Sequence, residues 1–250
     1  MRGRVAAAAA ALALVAVTGC GDKPVEALPV CTTGQVSVTL EQARNAATIA
    51  AVGKRLGMPN HAVTVALATA LQESKLRNLD YGDRDSLGLF QQRPSQGWGT
   101  AAQVQDPRYA AAVFYAHLKR IRGWQALPVT VAAQEVQRSA APDAYAQWEE
   151  AARELARALT GELPAAFSCQ FQKVPEPNSG IRVQQRATTE LGPGGLGRTA
   201  TAAQTWTTTS WLVAHASVYG ITQVRVAGRA WQAKRGTWVA DPKASELTYS

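Results

Sequence analysis

The sequence predicts a mainly α domain over residues 39–169, followed after a linker by a small α+β unit over residues 181–250. Three observations favour this division. First, capping residues and apolar segments of helical length recur between residues 39 and 169. Second, residues 170–180 are rich in Pro, Asn and Gly, as linkers are. Third, residues 181–250 contain alternating segments and one helical pattern. With 46% hydrophobic and 18% charged residues, the 250-residue chain has the composition of a globular protein.

Residues 1–19 are predicted to be an export signal. Arg2 and Arg4 precede an apolar segment that is too short to span a bilayer comfortably. The segment ends in Val17-Thr18-Gly19-Cys20, which resembles a bacterial lipobox, in which the Cys is lipidated after cleavage. A lipid on Cys20 would anchor the protein to the outer face of the cytoplasmic membrane. An ordinary signal peptide with a chance Cys is the alternative.

The chain has three cysteines, and the predicted export signal indicates which of them can form a disulfide. If Cys20 is acylated, Cys31 and Cys169 remain as an even pair in an oxidising compartment, which favours a disulfide. Such a bridge would close a very long loop and would nominally stabilise the fold by about 4–5 kcal/mol. Two unrelated buried thiols are the alternative. Residues 20–38 are expected to form a tether.

Cap and stop residues predict the helices of the first domain. They extend from Leu40 to about Leu56, from His61 to Ser74 after an Asn60 cap, from Pro107 to about Arg122, from Thr130 to about Ser139, and from Pro142 to Thr160. Thr39 and Gln42 have the spacing of a capping box. The second helix is apolar on nearly every side, which predicts that it is buried. Residues 78–100 are expected to form loops.

The carboxy-terminal unit is predicted from alternation and helical period. Ile181–Thr188 alternates like a strand, Leu191–Arg198 is a Gly-rich loop, and Gln204–Tyr219 fits a helix. Ile221–Ala227 and Trp231–Val239 have the composition of strands. Wall binding and structural support both remain open as roles for this unit.

The strongest functional feature is Glu73-Ser74 at the end of the buried helix, followed in the next loop by Gly88-Leu89-Phe90-Gln91. A carboxylic acid donates a proton at neutral pH only if apolar surroundings raise its pKa, and the end of a core helix offers such surroundings. A carboxyl group of this kind suits the cleavage of a glycosidic bond. A helix-end ion pair between Glu73 and Lys75 or Arg77 is the structural alternative.

These motifs resemble the lysozyme-like superfamily, especially soluble lytic transglycosylase and goose-type lysozyme domains, which carry a Glu-Ser pair and then Gly-Leu-x-Gln. The longer segment over residues 88–99 also resembles a group of actinobacterial exported proteins. The resemblance covers roughly residues 32–165. It implies a lysozyme-like fold, cleavage of peptidoglycan glycan strands in the cell wall, Glu73 as general acid and base, and no cofactor.

The chain departs from the transglycosylase pattern in one place. Such domains usually carry an Ala-Tyr-Asn motif in a later helix, where Tyr and Asn help to hold the sugar. The matching stretch, Val131–Ala141, offers Gln134, Glu135 and Gln137 instead, and Tyr145 lies nearby in sequence. A non-catalytic peptidoglycan-binding lipoprotein is therefore the alternative function.

A second carboxylate is expected only if the chain follows goose-type lysozymes. Those enzymes carry an Asp shortly before the Gly-Leu-x-Gln motif, and Asp83 or Asp85 would correspond to it. Both are also ordinary turn residues. Transglycosylases use one Glu and the substrate's own N-acetyl group, and their product is an anhydro-muramic sugar. The single prominent Glu favours this second route.

The residues expected to bind substrate surround Glu73 in the sequence. Hydroxyl and amide groups would bond to sugar hydroxyls and acetamides, and aromatic rings would stack on sugar faces. The candidates are Ser74, Gln91, Gln92, Tyr81, Phe90 and Trp98.

Charge and composition narrow the partners. The formal net charge of +8 falls to +6 when Arg2 and Arg4 leave with the export signal, and such a surface attracts anionic polymers and membranes. Basic runs with interleaved aromatics, zinc-finger spacing and helix-turn-helix spacing are all missing from the sequence, so no nucleic-acid partner is expected. The three histidines lie far apart in sequence, and no metal site is expected.

Overall fold

The computed structural model describes residues 28–172, 180–197 and 201–250. The predicted export signal, Cys20 and most of the predicted linker lie outside these residues. The described part is an α+β protein with a mostly helical central region and two small antiparallel sheets.

Helices account for most of the described residues. They are α1 Leu40–Arg55, α2 Asn60–Ser74, α3 Ala101–Val104, α4 Pro107–Arg120, α5 Val129–Gln137, α6 Glu149–Leu159, α7 Gly180–Leu191 and α8 Ala202–Tyr219. Between α5 and α6, the chain forms a 3-10 segment, Pro142–Trp148.

The strands form two antiparallel sheets. The first contains β1 Val30–Thr33, β2 Val36–Val38 and β3 Ser168–Gln170 in the order β2-β1-β3. The second contains β4 Gln223–Val226, β5 Arg229–Gln232, β6 Thr237–Ala240 and β7 Thr248–Tyr249 in the order β6-β5-β4-β7.

Local sequence signals explain where the early helices begin. The Thr39 hydroxyl accepts a hydrogen bond from the Gln42 amide at 3.3 Å, and the Gln42 side chain accepts one from the Thr39 amide at 2.8 Å, which confirms the predicted capping box. Asp106 caps α4 as predicted. The prediction for α2 was wrong by one residue, because Pro59 is the cap and the Asn60 side chain instead contacts Lys54 and Glu162.

Helix α2 is the central element of the fold. Its residues from Ala62 to Leu71 are all buried, as the apolar pattern predicted. It packs against α6, α5, α4 and α1. Because the helix is held on every side, the residues at its carboxyl end occupy a defined position.

The amino-terminal strands correct the predicted tether of residues 20–38. Residues 30–38 form the β1–β2 hairpin, and β1 also pairs with β3, so that Cys31 lies opposite Cys169. The two cysteines form the predicted disulfide and are buried. The side chains of Cys31 and Thr33 alternate with more exposed ones and face the core. The strand is short and contains two threonines, so its sequence did not predict this burial.

Loss of the disulfide is expected to destabilise the fold strongly. The bridge joins residues 138 positions apart, so its removal frees a long loop in the unfolded chain. The double variant Cys31→Ser/Cys169→Ser should lose about 2–5 kcal/mol of unfolding free energy, measured by urea denaturation. Wild-type protein unfolded in a reductant is the matched comparison, and an unchanged urea midpoint in both would contradict the expectation.

Helix α7 corrects the prediction of a strand at Ile181–Thr188. The buried positions of this segment are Val183, Ala187 and Glu190, whose spacing of four and three residues is helical. The apolar alternation at its start fitted both periods. The acidic residue at 190 concealed the third buried position, because a carboxylate in a sequence pattern is normally counted as exposed.

The carboxy-terminal part shares its hydrophobic core with the central region. Helix α8, which was predicted, packs against α1 and α6, and Trp211 and Leu212 belong to the same buried cluster as the residues of α2. The Trp231 indole donates a hydrogen bond to the Cys169 carbonyl at 3.1 Å, and the Trp238 indole donates one to the Phe167 carbonyl at 2.9 Å. The expected second unit is therefore packed directly onto the first.

A buried carboxylate links α1, α7 and α8. Glu190 is fully buried, and its carboxylate accepts hydrogen bonds from the Thr48 hydroxyl at 2.9 Å and the Trp211 indole at 2.7 Å. Arg186 forms an ion pair with the same carboxylate. Burial lowers the pKa of His215, which stacks on Trp211, to about 4, so this ring is neutral near pH 7.

Candidate active site

Glu73 lies at the carboxyl end of α2, where the backbone turns sharply. Lys75 and Leu76 both adopt the left-handed conformation, with φ of 55° and 59°, and this ends the helix. Helix α1 holds the turn, since Gln42 donates to the Lys75 carbonyl at 2.8 Å and Asn45 donates to the Leu76 carbonyl at 2.7 Å. The position of Glu73 is thus determined from both sides of the turn.

The carboxyl group of Glu73 is partly buried. Burial raises its pKa above the ordinary value, against the opposing effects of hydrogen bonds from Tyr145 and Gln137 and of the Lys75 charge. The Tyr145 hydroxyl donates to Glu73 Oε1 at 2.7 Å. A carboxyl group with a raised pKa and a fixed orientation has the properties of a general acid.

The 3-10 segment brings Tyr145 to this carboxyl group. It docks on Gln72, whose side-chain oxygen accepts hydrogen bonds from the Trp148 indole at 2.8 Å and from Gln147 at 3.2 Å. The Lys75 ammonium lies 4.1 Å from the centre of a Trp148 ring, which adds a cation–π contact. Burial raises the pKa of Tyr145, and the nearby Glu73 charge raises it further, so the phenol stays a donor.

The Gly-Leu-Phe-Gln segment packs directly against the helix end. The Ser74 hydroxyl donates to the Leu89 carbonyl at 2.8 Å, and the Gln137 amide donates to the Phe90 carbonyl at 2.8 Å. Gly88 has φ of 77°, and a Cβ there would lie 2.3 Å from the Val104 carbonyl oxygen. Glycine is therefore required at this position for close packing within the protein.

Three of the expected substrate-binding residues are buried. Phe90 stacks on Phe114 with ring centroids 4.7 Å apart, and its ring belongs to the core. The Gln92 amide donates to the Ala110 carbonyl at 3.1 Å, and Ser74 makes the internal bond described above. Ser74 and Phe90 support the site from within, whereas Gln92 is buried but also lines the cavity described below.

The other expected substrate-binding residues are accessible. Tyr81 is 63% exposed, the most exposed aromatic side chain among them. Gln91 is partly exposed, and its amide donates to the Tyr81 and Gly88 carbonyls at 3.2 Å each. The Trp98 ring stacks on His117 with centroids 4.1 Å apart and remains partly exposed.

The two candidate second carboxylates differ in their surroundings. Asp83 projects into solvent with 91% of its side chain exposed and has Arg84 at 3.9 Å. Asp85 accepts hydrogen bonds from the Ser95 amide at 2.7 Å and from Arg93 at 3.0 Å. These bonds hold the pKa of Asp85 at about 2. Asp85 therefore organises the loop, and both of its oxygens are occupied.

A cavity of about 560 Å³ lies on the side of the site where Gln137 is found. Gln137, which acts on the pKa of Glu73, lines the cavity, whereas Glu73 does not. The other lining residues are Gln91, Gln92, Arg93, Gln96, Trp98, His117, Arg120, Ile121, Glu135, Val136 and Arg138. The cavity can hold a polar ligand of sugar size against Gln137.

The described residues contain no group of three His, Cys, Asp or Glu side chains placed to hold a metal ion. Within the same residues, every helix is too short or too polar to cross a bilayer. No protein-family model matches the chain, and no curated protein matches it either.

Sequence reasoning noted Gln137 and Tyr145 near the expected motif but assigned neither of them to Glu73. Gln137 lies within the stretch expected to carry the Ala-Tyr-Asn motif, and Tyr145 follows it in the 3-10 segment. Tyr145 thus supplies a tyrosine hydroxyl to the carboxyl group although the motif is missing. The sequence feature that pointed to this contact was a tyrosine, Tyr145, shortly after the stretch in which the motif tyrosine was expected.

Tyr145→Phe tests the hydrogen bond to Glu73. The bond favours the ionised carboxylate, so its loss should raise the pKa of Glu73 further and move the alkaline limb of a pH–rate profile to higher pH. A hydrogen bond to a charged group is worth about 1.5–3 kcal/mol, so kcat should fall at least about tenfold.

The control is Tyr115→Phe, which removes a buried hydrogen bond to the Ile49 carbonyl away from the site. This variant should keep the wild-type pH profile. The same pH–rate profile in the wild type and Tyr145→Phe would contradict the assigned role of Tyr145.

Proposed function

We propose that the protein cleaves the glycan strands of peptidoglycan, with Glu73 as general acid and then general base. The observation that carries the proposal is the partly buried Glu73 carboxyl group, which has a raised pKa and accepts a hydrogen bond from Tyr145. A polar cavity is lined by Gln137, which also acts on the pKa of Glu73. A glycosidic oxygen needs a proton as its bond breaks, and a carboxyl group in these surroundings supplies one near neutral pH.

The transglycosylase route fits this site better than a route with two carboxylates. Asp85 is bonded to Arg93 and Ser95, and Asp83 is in solvent. In the proposed reaction, Glu73 protonates the leaving glycosidic oxygen while the substrate's N-acetyl group stabilises the developing positive charge. The Glu73 carboxylate then takes the proton of the sugar's 6-hydroxyl, whose oxygen closes the anhydro ring, and the carboxyl group is regenerated.

A lysozyme-like fold for residues 39–169 is part of the proposal. It is supported by the Glu-Ser pair at the end of a buried helix and by the contact of Ser74 with the Gly-Leu-Phe-Gln segment. The hydrogen bond from Tyr145 to Glu73 supports it as well, because transglycosylase domains also use a tyrosine at their site.

The proposed location is the outer face of the cytoplasmic membrane, with Cys20 lipidated and the domain facing the wall. The Cys31–Cys169 disulfide supports an oxidising compartment. The proposed partners are peptidoglycan strands and, through the lipid, the membrane. The net positive charge also favours an anionic polymer as the binding partner.

Digestion of purified peptidoglycan by the full chain tests the proposal. Mass spectrometry of the soluble products should detect muropeptides that end in anhydro-muramic acid, whereas reducing ends would indicate hydrolysis. Heat-inactivated protein is the control. Absence of either product would reject cleavage.

The second candidate function is binding of glycan strands without cleavage. Glu73 does not line the cavity itself, and this favours the candidate. Co-sedimentation of the protein with insoluble peptidoglycan, without release of soluble fragments, would support binding alone.

A further inference from the structure

The cavity that Gln137 lines has a strongly cationic end. Arg93, Arg120 and Arg138 line it, and the only acid in its lining is Glu135. The arginines come from three elements: the loop after the Gly-Leu-Phe-Gln segment, the last residue of α4 and the residue after α5. Three separate elements thus bring positive charge to one cavity.

Two of these cations are unpaired. Within the described ranges of the chain, neither Arg120 nor Arg138 makes a hydrogen bond or an ion pair through its guanidinium, and both are exposed. Arg93 is bonded through Nε to Asp85 at 3.0 Å, which orients its guanidinium. Burial lowers the pKa of His117, and the charges of Arg120 and Arg138 lower it further, so both charges act at the stacked Trp98–His117 wall.

Gln137 relates the cationic end to the general acid. Its amide nitrogen donates to the Phe90 carbonyl, its side chain acts on the pKa of Glu73, and it lines the cavity. Its side-chain oxygen is buried and has no partner among the described residues. Gln137 thus lines the same cavity as Arg120 and Arg138.

We propose that the cavity binds a carboxylate carried by the glycan, so that the substrate is a strand with free carboxylates and an uncharged polymer of similar sugars is a poor ligand. This inference rests on the proposed function. The guanidinium fork matches carboxylate geometry, and Arg120 and Arg138, which line the sugar-sized cavity, form no ion pair with Glu135 or with any other acid of the described residues.

Calorimetric titration of the full chain tests the proposal, with Glu73→Gln as the background so that no cleavage occurs. Three ligands are compared: soluble peptidoglycan strands with stem peptides, the same strands after an amidase has removed the peptides but left the lactyl carboxylates, and chitohexaose, which has no carboxylate. The strands with stem peptides should bind at least about tenfold more tightly than chitohexaose, since a charge-assisted hydrogen bond contributes about that factor.

The second part of the experiment repeats the titrations with a variant in which both unpaired arginines are replaced. Arg120→Gln/Arg138→Gln should bind the peptide-bearing strands at least about tenfold more weakly, while its affinity for chitohexaose stays unchanged. Arg229→Gln is the control, because Arg229 is an exposed arginine of β5 outside the cavity. A loss that extends to the amidase-treated strands shows that the site also accepts the lactyl carboxylate, which is an amide in the peptide-bearing strands. A loss confined to peptide-bearing strands identifies a carboxylate of the stem peptide.

The results that overturn the proposal are distinct from those that overturn the proposed function. If all three ligands bind equally well, or if the double variant binds like its parent, the cationic end does not select carboxylates, although glycan binding stands. If the parent binds none of the three ligands, the glycan function itself is rejected, and the carboxylate site with it.

Discussion

Glu73→Gln is expected to reduce the release of glycan fragments by a factor of about 10²–10⁴, the usual contribution of a general acid or base. Glutamine is close to glutamate in shape and keeps an acceptor oxygen for the Tyr145 hydroxyl, so the surroundings of the side chain are preserved. It cannot donate a proton to the glycosidic oxygen or take one back. Release of soluble muropeptides, quantified by mass spectrometry, measures the effect.

The same variant should be at least as stable as the wild type near neutral pH. Burial raises the folded-state pKa of Glu73 above its unfolded value, so the folded wild type loses stability as pH rises through the interval between these two pKa values. Glutamine has no charge to bury and avoids this loss. Thermal denaturation at acidic and neutral pH therefore shows whether lost activity reflects chemistry or unfolding.

Glu150→Gln, an exposed substitution on α6, is the matched control and should retain full activity. Wild-type activity in Glu73→Gln would remove Glu73 from the mechanism.

Glu190→Ala is expected to lower the free energy of unfolding by about 3–5 kcal/mol, because breaking a buried ion pair leaves its partners uncompensated. The Thr48 hydroxyl and the Trp211 indole would lose their acceptor, and Arg186 would lose its counter-charge. Urea denaturation measures the loss. Glu190→Gln, which keeps an acceptor oxygen, should show a smaller loss and provides a folded variant if the alanine variant fails to fold.

Glu150→Ala is again the control, since an exposed substitution usually changes stability by no more than about 0.5 kcal/mol. A wild-type urea midpoint for Glu190→Ala would show that the buried carboxylate contributes nothing net to the fold.

The parts of the fold that sequence could predict depend on local signals. The capping box at Thr39, the Asp106 cap and the apolar pattern of α2 each act within a few residues, and the structure has all three. Helix α7 was missed because its buried position Glu190 is satisfied by Thr48, 142 residues away in sequence. No local pattern contains that contact.

The site was predictable to the same local extent. Glu73 lies at the end of one helix and its partner segment in the next loop, so both were found together. Tyr145 reaches Glu73 only because the 3-10 segment docks on Gln72, which is a tertiary contact. The burial of Phe90 was not predictable, because the backbone turns at Gln91, with φ of 47°, and a sequence does not show which way each side chain then points.

The disulfide has a topological consequence for any single cut in the chain between its two cysteines. It joins β1, near the amino-terminal end of the described chain, to β3, which follows the last helix of the central region. A protease that cuts the chain once between residues 32 and 168 would therefore leave two fragments that remain one covalent molecule. The exposed stretch around Tyr81 could be nicked in this way without shedding either half.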